Sequence, residues 1–215
     1  MRETWLVLDA MGVVFEVADD TNDLLIPYVR KLNRAISAEK IAELYVQASL
    51  GRVSSFGFWE ALGFGDAYPE IERDYLDACV RIDPEFIGIA ERLSREFSLA
   101  LLSNDVKEWS AHLRARFDLD RLFKAMVISG EVGYRKPDKR IYGILLDRIR
   151  SAPSDCVFVD DRARNLRPAS EMGIKTIRFV RESSDDDFAA DFEVRAFREL
   201  PQAVATVLER ARTPE

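Results

Sequence analysis

The chain has 215 residues, of which 47% are hydrophobic and 32% charged, a balance typical of a globular protein with a substantial core. This length predicts one domain, or one domain with a modest insertion. The net charge of −7 gives no reason to expect a nucleic acid partner, and no stretch of the sequence is long and apolar enough to predict a signal peptide or a membrane span. Cys79 and Cys156 lack metal-ligand spacing and are predicted to be reduced thiols, which fits a cytoplasmic protein.

Short apolar runs bounded by polar or turn residues predict buried parallel strands. In chain order these runs are Trp5–Leu8, Leu99–Leu102, Met126–Ser129, Val157–Val159 and Thr176–Val180, and residues 192–197 predict a short edge strand. Amphipathic helical patterns alternate with them at Val106–Phe117, Lys139–Arg150, Arg164–Met172 and Leu200–Arg212. The alternation predicts an α/β fold with a doubly wound, Rossmann-like parallel sheet.

One interval interrupts this alternation, because only helical patterns lie between the first strand and the run at Leu99. They are Asn22–Leu32, Ala38–Ala48, Phe56–Leu62, Pro69–Cys79 and Pro84–Phe97. Residues 17–83 are therefore predicted to form a small helical cap inserted into a core made of residues 1–16 and 84–215. The acidic run at 182–187 is predicted to be a solvated loop.

The informative polar residues follow the carboxyl ends of predicted strands, where open α/β sheets bind their ligands. Asp9 follows the first strand, Ser103 and Asn104 follow the second, and Asp160 and Asp161 follow the fourth. A loop at 133–137 contributes Lys136. Carboxylates from separate strands suit a magnesium ion, while a lysine and a serine suit a phosphoryl group. Together these residues predict a phosphate and metal pocket.

These segments resemble the four motifs of the haloacid dehalogenase superfamily, in the same order. The matching segments are residues 8–14 (LDAMGVV), 101–105 (LLSND), 135–138 (RKPD) and 158–161 (FVDD). The run at 160–169 is similar to the phosphatase domain at the N-terminus of soluble epoxide hydrolases and to related sugar-phosphate phosphatases. The resemblance implies a Mg²⁺-dependent hydrolase acting on a small phosphorylated metabolite, with a helical cap that selects the substrate.

The resemblance also implies a role for each matching residue. Asp9 would attack phosphorus and form an aspartyl-phosphate, and Ser103 and Lys136 would hold the phosphoryl group. Magnesium would be held by Asp9, the backbone carbonyl of Met11, Asp160 and Asp161. The remaining substrate contacts would come from Met11, Gly12, Asn104 and Arg162.

The chain departs from the family pattern at Met11, where phosphatases carry a second aspartate that transfers protons. A thioether cannot do so, and neither Glu16 nor Asp105 can be placed from the sequence as a substitute. Three interpretations stay open: a phosphatase, a dehalogenase-like hydrolase that attacks carbon, and a binding protein without turnover. The paired acids Asp160 and Asp161 favour the first, because carboxylates near Asp9 repel one another without a cation.

Overall fold

The computed structural model describes residues 3–181 and 188–210 and contains one six-stranded, all-parallel sheet. Its strands are β1 (Trp5–Leu8), β2 (Ser98–Ser103), β3 (Ala125–Ile128), β4 (Cys156–Asp160), β5 (Lys175–Phe179) and β6 (Phe192–Val194), in the order β3-β2-β1-β4-β5-β6. The predicted α/β class and parallel sheet are confirmed. The acidic run at 182–187 and the last two residues of the helix predicted to end at Arg212 lie outside the described residues.

Helices separate the strands and cover the sheet. They are α1 (Ile26–Leu32, after a π-helical turn at Thr21–Leu25), α2 (Ala38–Ala48), α3 (Ser55–Ala61), α4 (Glu70–Cys79), α5 (Phe86–Leu93), α6 (Lys107–Arg116), α7 (Ser129–Val132), α8 (Lys139–Ile149), α9 (Ala163–Glu171) and α10 (Leu200–Arg210). No described helix is both long and apolar enough to cross a bilayer.

The central strand β1 is buried on both faces, as a parallel strand between helical layers must be. Leu6 and Leu8 pack into one apolar cluster, and Trp5 and Val7 pack into a second. Alternate side chains point to opposite faces of a strand, so this division places one core on each side of the sheet. β1 therefore fixes Asp9 at the middle of the sheet's carboxyl edge.

Helices α1 to α4 occupy the interval that interrupts the sequence pattern, between β1 and α5. The chain enters and leaves this interval through two paired segments. Phe15 bridges Ile82, and the Asp83 N–H donates to the Val14 carbonyl at 2.9 Å. The boundaries predicted at residues 17 and 83 fall beside this pairing, while a cap function for the interval stays a prediction.

Several predicted boundaries differ from the observed ones by one to three residues. Ser129, predicted as the end of a strand, instead begins α7, because its carbonyl accepts from the Gly133 N–H at 2.8 Å and so closes a helical turn. Gly133 ends this turn at φ 77°, a conformation that glycine adopts without strain. The edge strand predicted over 192–197 stops at Val194, and a 3₁₀ turn begins at Phe197.

Candidate active site

The carboxyl ends of β1, β2 and β4 meet at one edge of the sheet and bring together residues that are distant in the sequence. Asp9 directly follows β1, and its N–H donates to the Val159 carbonyl on β4 at 2.9 Å. Ser103 and Asp160 are the last residues of β2 and β4. All three are buried, so the predicted cluster of strand-end residues does form.

Lys136 is the buried cation of this cluster. Its Nζ lies 2.7 Å from Asp9 Oδ1 and 2.8 Å from Asp160 Oδ2, and it donates to the Leu102 carbonyl at 2.8 Å. Asn104 fixes the lysine's backbone, because its Nδ2 donates to the Lys136 carbonyl at 2.9 Å and its Oδ1 accepts the Lys136 N–H at 2.8 Å. The position of the ammonium group is therefore set by its own backbone as well as by its ion pairs.

Asp9, Asp160 and Asp161 form a compact acidic group. One carboxylate oxygen from each lies within 4.8 Å of the others. Asn165 orients Asp160 by donating from Nδ2 to Oδ1 at 3.0 Å, whereas Asp161 Oδ1 is buried with no hydrogen-bond partner among the described residues. Burial, opposed by Lys136, raises the pKa of Asp9 well above its usual value, and burial with repulsion from Asp160 raises the pKa of Asp161 to about 7.

The donor set fits a divalent cation. The three carboxylates outnumber the two cations beside them, Lys136 and Arg162, whose Nε lies 3.9 Å from Asp161 Oδ2, so a divalent cation would offset the excess negative charge. The unpartnered oxygen of Asp161 supplies a free ligand atom, and oxygen donors are the ligands that Mg²⁺ prefers. Cation binding also offers these buried carboxylates an alternative to taking up protons.

Gly12 makes room for Asp161. A Cβ atom at Gly12 would lie 2.5 Å from Asp161 Cγ, and the backbone there has φ 78°. Arg181 holds the same turn, donating from Nε to the Gly12 carbonyl at 3.0 Å and from Nη2 to Asp83 Oδ2 at 2.7 Å. Gly12 therefore lies beside this carboxylate, and its predicted contact with substrate stays a prediction.

A polar pocket opens over Asp9. Its wall contains Asp9, Met11, Ala18, Asp20, Thr21, Tyr45, Ser103, Asn104, Arg135, Lys136, Arg162 and Asn165. Ser103 Oγ is buried with no hydrogen-bond partner among the described residues, which leaves it available to a ligand. Arg162 lies in the wall as predicted, but its Nη2 also donates to the Ala18 carbonyl at 2.6 Å, and this bond fixes the guanidinium.

A family model described as haloacid dehalogenase-like hydrolase matches residues 6–173, which include every residue of this site. The chain belongs to that family. It has the Rossmann-like core of haloacid dehalogenase-like enzymes, as its motifs predicted.

Known relatives of this haloacid dehalogenase-like chain include phosphatases and dehalogenases. It is 34% identical over 97 residues to bifunctional epoxide hydrolase 2 of Mus musculus, covering 45% of the chain and 16% of that protein. It is 30% identical to phosphoserine phosphatase of Thermus thermophilus (66% of the chain, 61% of that protein) and 25% identical to (S)-2-haloacid dehalogenase 1 of a Pseudomonas species (91% and 94%). The chain thus spans only part of the first two relatives.

The fold is shared with solved haloacid dehalogenase-like structures. One is a family enzyme from Bacteroides thetaiotaomicron in complex with magnesium and inorganic phosphate, with a TM-score of 0.72 and 20% identity over 86% of this chain and 98% of that one. At this identity the likeness supports the shared fold.

Six residues of the pocket wall were missed by the sequence analysis: Ala18, Asp20, Thr21, Tyr45, Arg135 and Asn165. Tyr45 OH donates to Asp20 Oδ2 at 3.1 Å, and the Arg135 guanidinium lies 5.4 Å from the centre of the Tyr45 ring. Asp20 and Tyr45 come from the helical interval, where no motif marks them. Arg135 and Asn165 lie in the matched segments 135–138 and 160–169, so the motifs themselves could have indicated both.

Proposed function

We propose that this haloacid dehalogenase-like hydrolase is a Mg²⁺-dependent phosphatase that acts on a small phosphorylated metabolite through an aspartyl-phosphate at Asp9. One observation carries the proposal: Asp9 shares a buried site with two further carboxylates, Asp160 and Asp161, and with the Lys136 ammonium, which pairs with Asp9 and Asp160. The relatives that are phosphatases support this assignment.

The chain's own residues account for the covalent step. Asp9 Oδ1 is held by Lys136 Nζ at 2.7 Å and by the Ala10 N–H at 2.6 Å, so we assign the attack on phosphorus to Oδ2. The new Oδ2–P bond replaces the bond from phosphorus to the leaving oxygen, which takes up a proton. Water then attacks phosphorus, the Oδ2–P bond breaks, and phosphate is released with Asp9 regenerated. Ser103 Oγ, which has no partner among the described residues, would donate a hydrogen bond to the transferred group, and the Lys136 ammonium, held beside Asp9, would offset its negative charge.

Asp9, Asp160, Asp161 and the backbone carbonyl of Met11 would hold the magnesium ion. When bound, Mg²⁺ neutralises the carboxylates and stabilises negative charge on a phosphoryl oxygen. Asn165 and the Arg162 N–H, which donates to Asp160 Oδ1 at 2.8 Å, keep Asp160 fixed beside this position.

The pocket wall favours an anionic substrate. Arg135 and Arg162 add two guanidinium groups to the lysine, and Arg135 Nη1 is buried without a hydrogen-bond partner in the described part of the chain. Asp20 and Tyr45 belong to the interval 17–83, and we propose that this interval is a cap that excludes water and selects the substrate. The two free cysteines are compatible with the reducing cytoplasm that we propose as its location.

A dehalogenase-like hydrolase is the second candidate. It is favoured by Met11, which removes the acid that phosphatases use, and by the Pseudomonas dehalogenase that matches 91% of the chain. The acidic pair opposes it, because three carboxylates beside one lysine leave an excess negative charge without a metal. Halide release from 2-haloacids in the presence of a chelator would identify this activity.

The test is a panel of phosphate esters and acyl phosphates, assayed for phosphate release with Mg²⁺ or with a chelator. We expect release that requires Mg²⁺ and is abolished in Asp9→Asn, together with an acid-stable label on Asp9 when the reaction with radioactive substrate is quenched. Equal rates for the native chain and Asp9→Asn would reject the proposal. Tight binding of Mg²⁺ and a phosphate analogue without any turnover would instead identify a binding protein.

A further inference from the structure

Hydrolysis of an alkyl phosphate requires a proton at the leaving oxygen, and no residue that has been assigned a role so far supplies it. Met11 lines the pocket but cannot transfer protons. Glu16 is exposed and outside the pocket wall. Asp105 is buried outside that wall as well, and its Oδ1 accepts the Val106 N–H at 2.7 Å. Neither acid considered from the sequence therefore reaches the reacting atoms.

Asp20 does lie in the pocket wall. Asp9 and Asp20 are the two carboxylic acids of that wall within the described chain, and Asp9 is engaged as the nucleophile. Asp20 is 7% exposed. An aspartate at the start of a helical segment usually caps it, but the Asp20 side chain makes no capping hydrogen bond. Its carboxyl group is thus buried at the pocket without the ordinary structural reason for being there.

The surroundings of Asp20 are mixed in charge. Tyr45 OH donates to Oδ2 at 3.1 Å. The ionisable groups that act on it are Arg162, Tyr45, Asp19, Arg135, Asp105 and Tyr75. Burial dominates these influences and raises the pKa of Asp20, while Arg162 is the main opposing group. A carboxyl group that keeps its proton nearer to neutral pH is better suited to general acid catalysis than an exposed one.

We propose that Asp20 performs the proton transfers for which Met11 is unsuited. Its carboxyl group protonates the leaving oxygen as the bond from that oxygen to phosphorus breaks, and its carboxylate then accepts a proton from the water that attacks the aspartyl-phosphate. One turnover returns Asp20 to its protonated state. This inference rests on the proposed phosphatase function.

The experiment compares two substrates with different leaving groups in the native chain, Asp20→Asn and Asp23→Asn. The leaving oxygen of an alkyl phosphate needs protonation, whereas that of p-nitrophenyl phosphate needs it much less. Asp23→Asn is the matched control, because it removes one exposed carboxylate from the same helical turn outside the pocket wall. We expect Asp20→Asn to lose about 10²- to 10⁴-fold in kcat on the alkyl ester, with a much smaller loss of the single-turnover phosphorylation rate on the aryl ester.

A structural role for Asp20 would lower both phosphorylation rates equally, and that result would overturn the inference while leaving the phosphatase proposal intact. Partial recovery of the alkyl-ester rate in Asp20→Glu would support it. A native chain inactive on both substrates would overturn the proposed function and this inference with it. Thermal unfolding of all variants shows whether a rate loss reflects the folded protein.

Discussion

Glu72 on α4 is a buried carboxylate that joins the helical interval to the core. Its Oε2 accepts from Trp59 Nε1 at 2.9 Å, from Trp109 Nε1 at 2.7 Å and from Ser55 Oγ. Trp109 lies on the core helix α6, whereas Trp59 and Ser55 lie on α3. A single acceptor thus holds three donors from two parts of the chain.

Replacing Glu72 with leucine removes a buried charge but leaves two indole N–H groups without an acceptor. A buried donor without an acceptor costs about 1–3 kcal/mol, so two cost about 2–6 kcal/mol. We expect this loss to outweigh the desolvation cost that is saved when one well-bonded carboxylate is removed. We therefore expect Glu72→Leu to lower the free energy of unfolding by about 2–6 kcal/mol, a large part of the roughly 5–15 kcal/mol that a domain possesses. Urea unfolding with an unchanged m-value measures it.

A double-mutant cycle with Trp109→Phe tests the cause. In the native background this change loses a hydrogen bond, but after Glu72→Leu it removes an orphaned donor, so its destabilisation should shrink by about 1–3 kcal/mol. Effects that add to within about 0.5 kcal/mol would show that the Glu72–Trp109 bond is not what stabilises this contact, and would refute the reasoning.

Three further variants test the site and its supports. Gly12→Ala should weaken Mg²⁺ binding at least about tenfold by calorimetry, since a clash of the new Cβ with Asp161 that costs about 1.4 kcal/mol suffices. Gly63→Ala is its control, because Gly63 also has a positive φ (86°) but a Cβ there would meet nothing within 4 Å. Equal Mg²⁺ affinities for the two variants would contradict the predicted clash. Asp138 caps α8 and has a pKa of about 2, because Arg140 donates to it. The stabilisation that the Asp138 carboxylate provides is therefore present above pH 4 and lost as the pH falls towards 2. In urea unfolding, Asp138→Ala should lower the free energy of unfolding by about 1 kcal/mol at pH 7 and by less at pH 3. A loss that does not change with pH would show that the carboxylate's charge does not provide the stabilisation. Met11→Asp should restore alkyl-ester turnover to Asp20→Asn, and no recovery in stopped assays would show that proton transfer is not the missing step.

The sheet was predictable because parallel strands buried on both faces appear as continuous apolar runs. Trp5–Leu8 was predicted with its observed bounds, and the strand-end acids followed from it. Boundaries set by hydrogen bonds, such as the turn that Ser129 closes with Gly133, leave no such pattern. The site residues at strand ends were therefore predictable, whereas those that tertiary contacts bring in from the helical interval 17–83 were not.

Glu72 and Asp20 show why. An acidic residue in an amphipathic helix or beside another aspartate is usually exposed, so nothing in the sequence distinguishes these two from solvated neighbours such as Asp23. Their burial follows from tertiary contacts, with Trp109 in one case and Tyr45 in the other.

In the proposed mechanism the acid is Asp20, in the helical interval 17–83, and not a residue two positions after Asp9. Proton transfer then depends on how this interval contacts the core. The single O–H of Tyr45 faces two acceptors, Asp20 Oδ2 at 3.1 Å and the Asn104 carbonyl at 3.3 Å. The Asn104 side chain in turn donates to the Lys136 backbone, and Lys136 Nζ pairs with Asp9. An acid placed two residues after the nucleophile moves with it, whereas the position of Asp20 relative to Asp9 depends on tertiary contacts such as these and the bond from Arg162 to the Ala18 carbonyl. Under the proposed mechanism, proton transfer therefore requires the interval 17–83 to be seated on the core, and water admitted by its departure meets a site without its acid.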